Sequence, residues 1–230
     1  MRFHDRTDAG RRLVAHVRRA GLSDPVVVLA LPRGGVPVAA EVAAELRAPL
    51  DVFVARKVGA PGQPEYGIGA IAEGGVVVAD PDALRALGVS EEQFERLAAR
   101  ESVELERRVR DYRRGRSLVD VEGRDIVLVD DGLATGVTAE AALRALRLRQ
   151  PRRLILAVPV CARGTADRLR GLAVADAIVC AHLPESFWSV GQWYEQFGQT
   201  SDAEVLALLE RDAQLFGGSS SGVSGGSGGG

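Results

Sequence analysis

Hydrophobic runs and periodic faces alternate along the chain in an order that predicts repeated β-α-β units. Residues 8–20 place Leu13, Val14 and Val17 on one helical face, with Thr7 or Asp8 as the cap and Pro25 beyond the end. Residues 26–31, VVVLAL, form a continuous apolar run rich in β-branched side chains, as expected of a parallel-sheet strand buried on both faces. A helical pattern of small residues with Glu41 and Glu45 follows over 36–47, and a second β-run over 50–55 completes one βαβ unit. Residues 56–75 carry Gly59, Pro61, Gly62, Pro64, Gly67 and Gly69 and read as a loop until 68–72. Glu73-Gly74-Gly75 then predicts a turn into a strand over 76–79, with the Gly pair supplying positive φ. Over 90–116, Phe94, Leu97, Ala98, Leu105, Val109 and Tyr112 recur near a 3.6 period among seven acids and eight arginines. That pattern predicts a long charged helix whose outer face is solvated and laced with i,i+4 pairs. A strand over 126–129, a helix from Thr138, a strand over 154–160, a helix over 164–170 and a strand over 177–180 continue the alternation, and a last helix covers 202–215. The fold class is α/β, an open parallel sheet of about five strands flanked by helices.

Composition narrows the picture. The chain has 230 residues, is 46% hydrophobic and has a formal charge of -2, which disfavours a protein that coats nucleic acid. Residues 217–230 hold eight Gly and five Ser and cannot bury apolar surface, so a single domain over 1–216 is expected, followed by a disordered tail or linker. No apolar run approaches the roughly 18 residues of a membrane span. The opening MRFHDRTDAGRR is charged where a secretory signal is apolar, and Cys161 and Cys180 are the only cysteines, so a reduced, cytoplasmic protein is expected. Of the 29 basic residues only Lys57 is lysine.

The stretch DIVLVDDGLATGVT, residues 125–138, joins an apolar strand to two carboxylates, a Gly/Thr turn and a helix start. Ligands of open parallel sheets bind beyond the carboxyl ends of strands, so Asp130 and Asp131 emerge where sugar hydroxyls could donate to them. The turn formed by Leu133, Ala134, Thr135, Gly136, Val137 and Thr138 can wrap backbone N–H groups and two hydroxyls around a phosphate at a helix N-terminus. It lacks the Gly-Lys-Ser/Thr of a Walker A loop.

This stretch resembles the phosphoribosyl pyrophosphate motif of the type I phosphoribosyltransferase family, and VLVDDGLATGVT matches it throughout. RKVGAPGQPEYGIGAIAEGG and VGQWYEQFGQTSD look like a less characterised bacterial branch of that family. The resemblance implies transfer of ribose 5-phosphate from phosphoribosyl pyrophosphate to a nitrogenous base. It assigns the ribose to Asp130 and Asp131, the 5-phosphate to residues 133–138, and the pyrophosphate to Arg33, Gly34, Gly35, Arg56 and Lys57. Arg56, Lys57 and Asp131 are the implied catalytic residues, with the cations stabilising the leaving group. Residues 56–80 form the implied lid, and the aromatic segment 183–200 the implied hood, in which Trp188, Trp193 and Tyr194 could stack on the base. The implied cofactor is Mg²⁺, held mainly through substrate, with Asp130 and Asp131 as candidate ligands.

Ala134 stands where members acting on 6-oxopurines carry a carboxylate, which argues against hypoxanthine or guanine as the base. Glu65 or Glu73 could serve instead as the acid/base group. The expected partners are phosphoribosyl pyrophosphate and an unidentified base, without nucleic acid or membrane, and a homodimer is compatible. Two alternatives stand beside transfer: a non-catalytic regulator that binds phosphoribosyl pyrophosphate, and one module of a larger enzyme joined through residues 217–230.

Overall fold

The structure, a computed structural model, describes residues 2–217; of the expected tail, only Gly217 falls within that range, and it ends the last helix. The chain runs α1 (Arg6–Arg18), β1 (Val26–Ala30), α2 (Gly35–Leu46), β2 (Leu50–Val52), β3 (Ala55–Ala60), β4 (Gln63–Ala72), β5 (Val76–Ala79), α3 (Pro81–Leu87) and α4 (Glu91–Arg113). It continues through β6 (Asp125–Val129), α5 (Val137–Arg147), β7 (Arg153–Val160), α6 (Arg163–Gly171), β8 (Ala177–His182), a 3-10 turn (Val190–Trp193) and α7 (Asp202–Gly217). Five parallel strands form one sheet in the order β2-β1-β6-β7-β8, and β3-β4-β5 form a small antiparallel sheet.

The fully apolar strands are explained by two cores. Along β1, Val26, Val28 and Ala30 enter a core shared with α1 and α2, while Val27 and Leu29 enter a second core shared with α5 and α6. In β6, Val127 and Val129 join the first core, and Ile126 and Leu128 the second. Strands packed on both faces have no position for a polar side chain, so the sequence pattern is continuous rather than alternating.

Several boundaries differ from expectation. Helix α1 is capped by Asp5, whose carboxylate accepts from the Asp8 N–H at 2.8 Å, not by Thr7 or Asp8. The β-run over 50–55 splits: β2 stays in the parallel sheet, and Ala55 opens the antiparallel one. The expected loop after Arg56 is instead a hairpin, with β3 paired to β4 and Pro61-Gly62 at the tip. Gly62 has φ +72°, the positive value that a tight Pro-Gly turn requires. Glycine in the paired strands marks close approach, not loop. A Cβ on Gly69 would lie 2.6 Å from the Phe94 ring, and one on Gly67 would lie 2.9 Å from Cδ of Lys57. Gly74 and Gly75 do take positive φ between β4 and β5.

Helix α4 starts on a capping box: Ser90 Oγ accepts from the Gln93 N–H and Gln93 Oε1 accepts from the Ser90 N–H. Its outer face carries the expected i,i+4 pairs Glu92–Arg96 and Glu104–Arg108. Its last turn departs from that pattern, because Arg113 turns inward. There it donates to both carboxylate oxygens of Glu73 at 2.6 and 2.8 Å and to the Val52 carbonyl at 2.8 Å, tying the small sheet to the large one.

Candidate active site

The carboxyl ends of β1 and β6 bring two loops into contact. Asp130 and Asp131 leave β6, and Asp130 Oδ1 accepts from the Asp131 N–H at 2.8 Å. Against them lies the turn after β1, in which Pro32-Arg33 is a cis peptide. A Cβ on Gly35 would lie 2.7 Å from the Val129 carbonyl, and one on Gly34 would collide with Asp131 Oδ2. These glycines were expected to admit a phosphate, but their first role is to let the two loops touch. Burial pushes the Asp130 carboxyl well above the usual carboxylate range, and the neighbouring Asp131 adds to the effect. Asp131 is also raised by burial, against the opposing pull of Arg6.

Arg6 is a site residue that sequence reasoning missed. Its Nε and Nη2 lie 2.9 and 2.8 Å from Asp131 Oδ2, and Nη1 donates to the Gly198 carbonyl at 2.6 Å. The guanidinium carbon stands 4.1 Å from the centroid of the Phe197 ring, a cation-π distance. Tyr194 donates through its hydroxyl to the Asp131 carbonyl at 2.6 Å and stacks on Phe197 with centroids 5.0 Å apart. Arg6 and Asp131 are 125 positions apart, so no local pattern signals the pair.

The turn after the carboxylates divides in two. Leu133 is buried and its N–H donates to the Val160 carbonyl at 2.9 Å, so its part is to anchor the turn to β7. Among the described residues nothing accepts from the N–H groups of Ala134, Thr135, Gly136, Val137 and Thr138, and Gly136 takes φ +70°. Successive unclaimed N–H groups around a left-handed residue at a helix N-terminus form a concave anion nest. Helix α6 clamps the outside of this nest. Thr165 Oγ1 donates to the Ala134 carbonyl, and Arg168 donates to the Thr135 carbonyl at 2.9 Å and to the buried Glu140. A Cβ on Gly136 would lie 2.6 Å from Cγ2 of Thr165, so the clamp also requires glycine there. Thr165 and Arg168 were not anticipated either; a Thr and an Arg three positions apart are ordinary on any helix.

The remaining candidates are not all brought together. Arg33 keeps 27% side-chain exposure and lies 4.0 Å from Asp202. Arg56 and Lys57 sit within β3, not at the end of the second parallel strand, and Arg56 binds Glu101 of α4 at 2.6 and 2.8 Å. They border a cavity that reaches Thr138 but does not include Asp130, Asp131 or residues 33–35. In the hood, Trp188 is 89% exposed, Trp193 meets His182 edge-on at 4.9 Å, and Tyr194 is buried beneath Asp131. Of the three aromatics only Trp188 presents an open ring. Glu73 is excluded as a mobile acid/base group because both its oxygens are committed to Arg113 in the interior. The Glu65 side chain lies outside the described set. Cys161 and Cys180 are free thiols, and the hydrogen bond to Cys180, with burial, pushes the Cys161 thiol up. No helix among the described residues is long and apolar enough to cross a membrane.

An α/β sheet ending in paired carboxylates beside an anion nest defines a class, and comparison with known proteins agrees. The chain belongs to the family of the phosphoribosyl transferase domain, whose model matches residues 3–194. A Mycobacterium tuberculosis H37Rv protein bearing the name "putative phosphoribosyl transferase" is 48% identical over 215 residues, 93% of this chain and 48% of that protein. The chain thus spans about half the length of the curated relatives it matches. The crystal structure of TT1426 from Thermus thermophilus is 46% identical, with a TM-score of 0.76, over 92% of this chain and 99% of that one.

Proposed function

We propose that the protein transfers ribose 5-phosphate from phosphoribosyl pyrophosphate to a nitrogenous base. The observation that carries this reading is the set of unclaimed N–H groups from Ala134 to Thr138, directly after the two carboxylates of Asp130 and Asp131. The nest suits a 5-phosphate dianion, and the carboxylates that directly precede it suit the ribose hydroxyls. In the reaction the bond from C1 of ribose to pyrophosphate breaks, the electron pair leaves with pyrophosphate, and a ring nitrogen of the base bonds to C1. The base proton passes to solvent or to the departing oxyanion.

Asp130 and Asp131 hold the sugar in one orientation, so the developing oxocarbenium ion meets the base without a search. In this reading Arg33 holds the pyrophosphate, and Arg56 and Lys57 border the neighbouring cavity from the hairpin. Paired carboxylates are hard oxygen donors fit for Mg²⁺, and the described residues contain no group of three or more His, Cys, Asp or Glu able to hold a metal ion. That donor set fits a magnesium ion carried in largely by substrate oxygens, with Asp130 and Asp131 completing its shell. The ion would neutralise charge on the leaving group.

The test is pyrophosphate release from phosphoribosyl pyrophosphate and Mg²⁺ across purine, pyrimidine and nicotinamide-like bases. Turnover with one base is expected, abolished in Asp130→Asn with Asp131→Asn while the fold persists. Tight ligand binding without turnover on any base would replace transfer with a regulator that reads the same ligand.

A further inference from the structure

Asp131 is held at its side chain and at its backbone by residues distant in sequence. Arg6 donates to Oδ2 through Nε at 2.9 Å, and Nη2 lies 2.8 Å from the same oxygen, so both contacts of the guanidinium fall on one side of the carboxylate. No other described residue donates to Oδ1. The backbone carbonyl of Asp131 accepts from the Tyr194 hydroxyl at 2.6 Å. Tyr194 stacks on Phe197, and the Phe197 ring lies 4.1 Å from the Arg6 guanidinium carbon, which closes a ring of contacts through Asp131, Arg6, Phe197 and Tyr194. Nη1 of Arg6 extends that ring to the Gly198 carbonyl at 2.6 Å. The glycine loop abuts the same side chain, since a Cβ on Gly34 would lie 3.3 Å from Arg6 Nε.

We propose that Arg6 is a positioning residue for the sugar contact: it fixes the Asp131 carboxylate by one oxygen, leaves the other for a ribose hydroxyl, and links that contact to the hood through Phe197 and Tyr194. The inference rests on the reading of Asp131 as a ribose-binding residue given above. Holding Oδ2 alone sets the carboxylate plane without filling both oxygens, which a fork-to-fork pairing would do. Neutralising a buried charge requires only the contacts to Asp131; the bond to Gly198 and the seat on Phe197 are what carry Arg6 into the hood. A hydroxyl that donates to Oδ1 draws on the carboxylate that Arg6 shares with those hood residues, so sugar binding and hood placement are coupled. Coupling of this kind is reciprocal, and a change in the hood that loosens Arg6 weakens sugar binding in turn.

Trp188 and Trp193 are the only tryptophans and both lie in the hood, so intrinsic tryptophan emission reads the hood directly. The experiment titrates the full chain with phosphoribosyl pyrophosphate and Mg²⁺, following heat for affinity and tryptophan emission for the hood. The wild-type chain is expected to bind and to change its emission on saturation. Arg6→Gln is expected to bind about tenfold more weakly, the loss typical of one charge-assisted contact, and to show no emission change at saturating ligand. Phe197→Leu keeps Asp131 paired with Arg6 and alters a partly exposed side chain, so it stays readable if Arg6→Gln does not fold. It is expected to bind about threefold more weakly, with the emission change mostly lost. Arg11→Gln, the same charge change on α1 but at a side chain paired with Glu41, is expected to match wild type. The proposal is overturned if Arg6→Gln and Phe197→Leu bind as tightly as wild type, if Arg11→Gln loses as much as Arg6→Gln, or if the emission change is absent from wild type or retained in the variants at saturation. A purely structural Arg6 would give that last result, a lower melting temperature with the emission change intact. Coupled binding without turnover on any base would sink the transfer reading and leave this proposal standing, whereas turnover with wild-type affinity in Arg6→Gln would sink the proposal alone. No heat of binding to the wild-type chain would remove the ligand assignment and this proposal together.

Discussion

Asp130 and Asp131 are carboxylates kept where charge is costly, and the cost has a sign. Burial raises both, Asp130 further through its neighbour, so the folded protein binds a proton that the unfolded chain releases near pH 4. Such groups weaken the fold as pH rises from about 4 through their raised folded values, and the penalty is complete above those values. Asp130→Asn keeps an acceptor for the Asp131 N–H and removes the charge. It is therefore expected to melt higher than wild type at neutral pH, with the difference shrinking toward about pH 4, and to bind phosphoribosyl pyrophosphate roughly a hundredfold more weakly. Thermal melts across pH check the first part and titration the second; equal melting temperatures at neutral pH would refute the buried-charge account. At this scale the carboxylate pair and the turn after it were legible because their chemistry is contiguous. Arg6 was not, since it reaches Asp131 only through the folded sheet.

Between elements, the nest holds its shape through bonds on its outer side. Thr165 and Arg168 fix the carbonyls of Ala134 and Thr135, and fixing a carbonyl turns the N–H of the same peptide unit the other way, into the nest. Thr165→Val, which leaves Arg168 on the buried Glu140, is expected to weaken phosphoribosyl pyrophosphate binding about tenfold while costing under about 1 kcal/mol of stability, the usual net loss of one hydrogen bond. Titration and urea unfolding measure the two; a stability loss as large as the binding loss would mean the clamp is structural only. The five parallel strands and α4 were legible because each buries a regular face. The hairpin was not: Gly59, Gly67 and Gly69 punctuate the sequence like a loop, yet they sit where Pro64, Lys57 and Phe94 press against the strand. Arg113 was hidden for a related reason, as the last turn of a helix otherwise arrayed in surface pairs.

Across the whole molecule, the first residues of the chain are built into the far end of the domain. Phe3 is buried against Tyr194, its N–H donates to the Trp193 carbonyl at 2.7 Å, and its carbonyl accepts from the Glu195 N–H at 2.9 Å. Phe3→Ala is expected to cost about 3–5 kcal/mol and to speed hydrogen exchange at the Glu195 and Gln196 amides, both of which donate to this arm. Unchanged exchange there would mean that the hood stands without the arm. The aromatic cluster was legible as a unit, but its work was not, because composition cannot tell a ring that meets a ligand from one that supports a carboxylate. The same arrangement sets an order in synthesis. A nascent chain that has emerged through Val160 already holds both carboxylates, the glycine loop and the nest, yet has neither Tyr194 under Asp131 nor Gly198 to hold Arg6. The sheet end that carries the two carboxylates is therefore completed only near the end of the domain, once Tyr194 and Gly198 have been made.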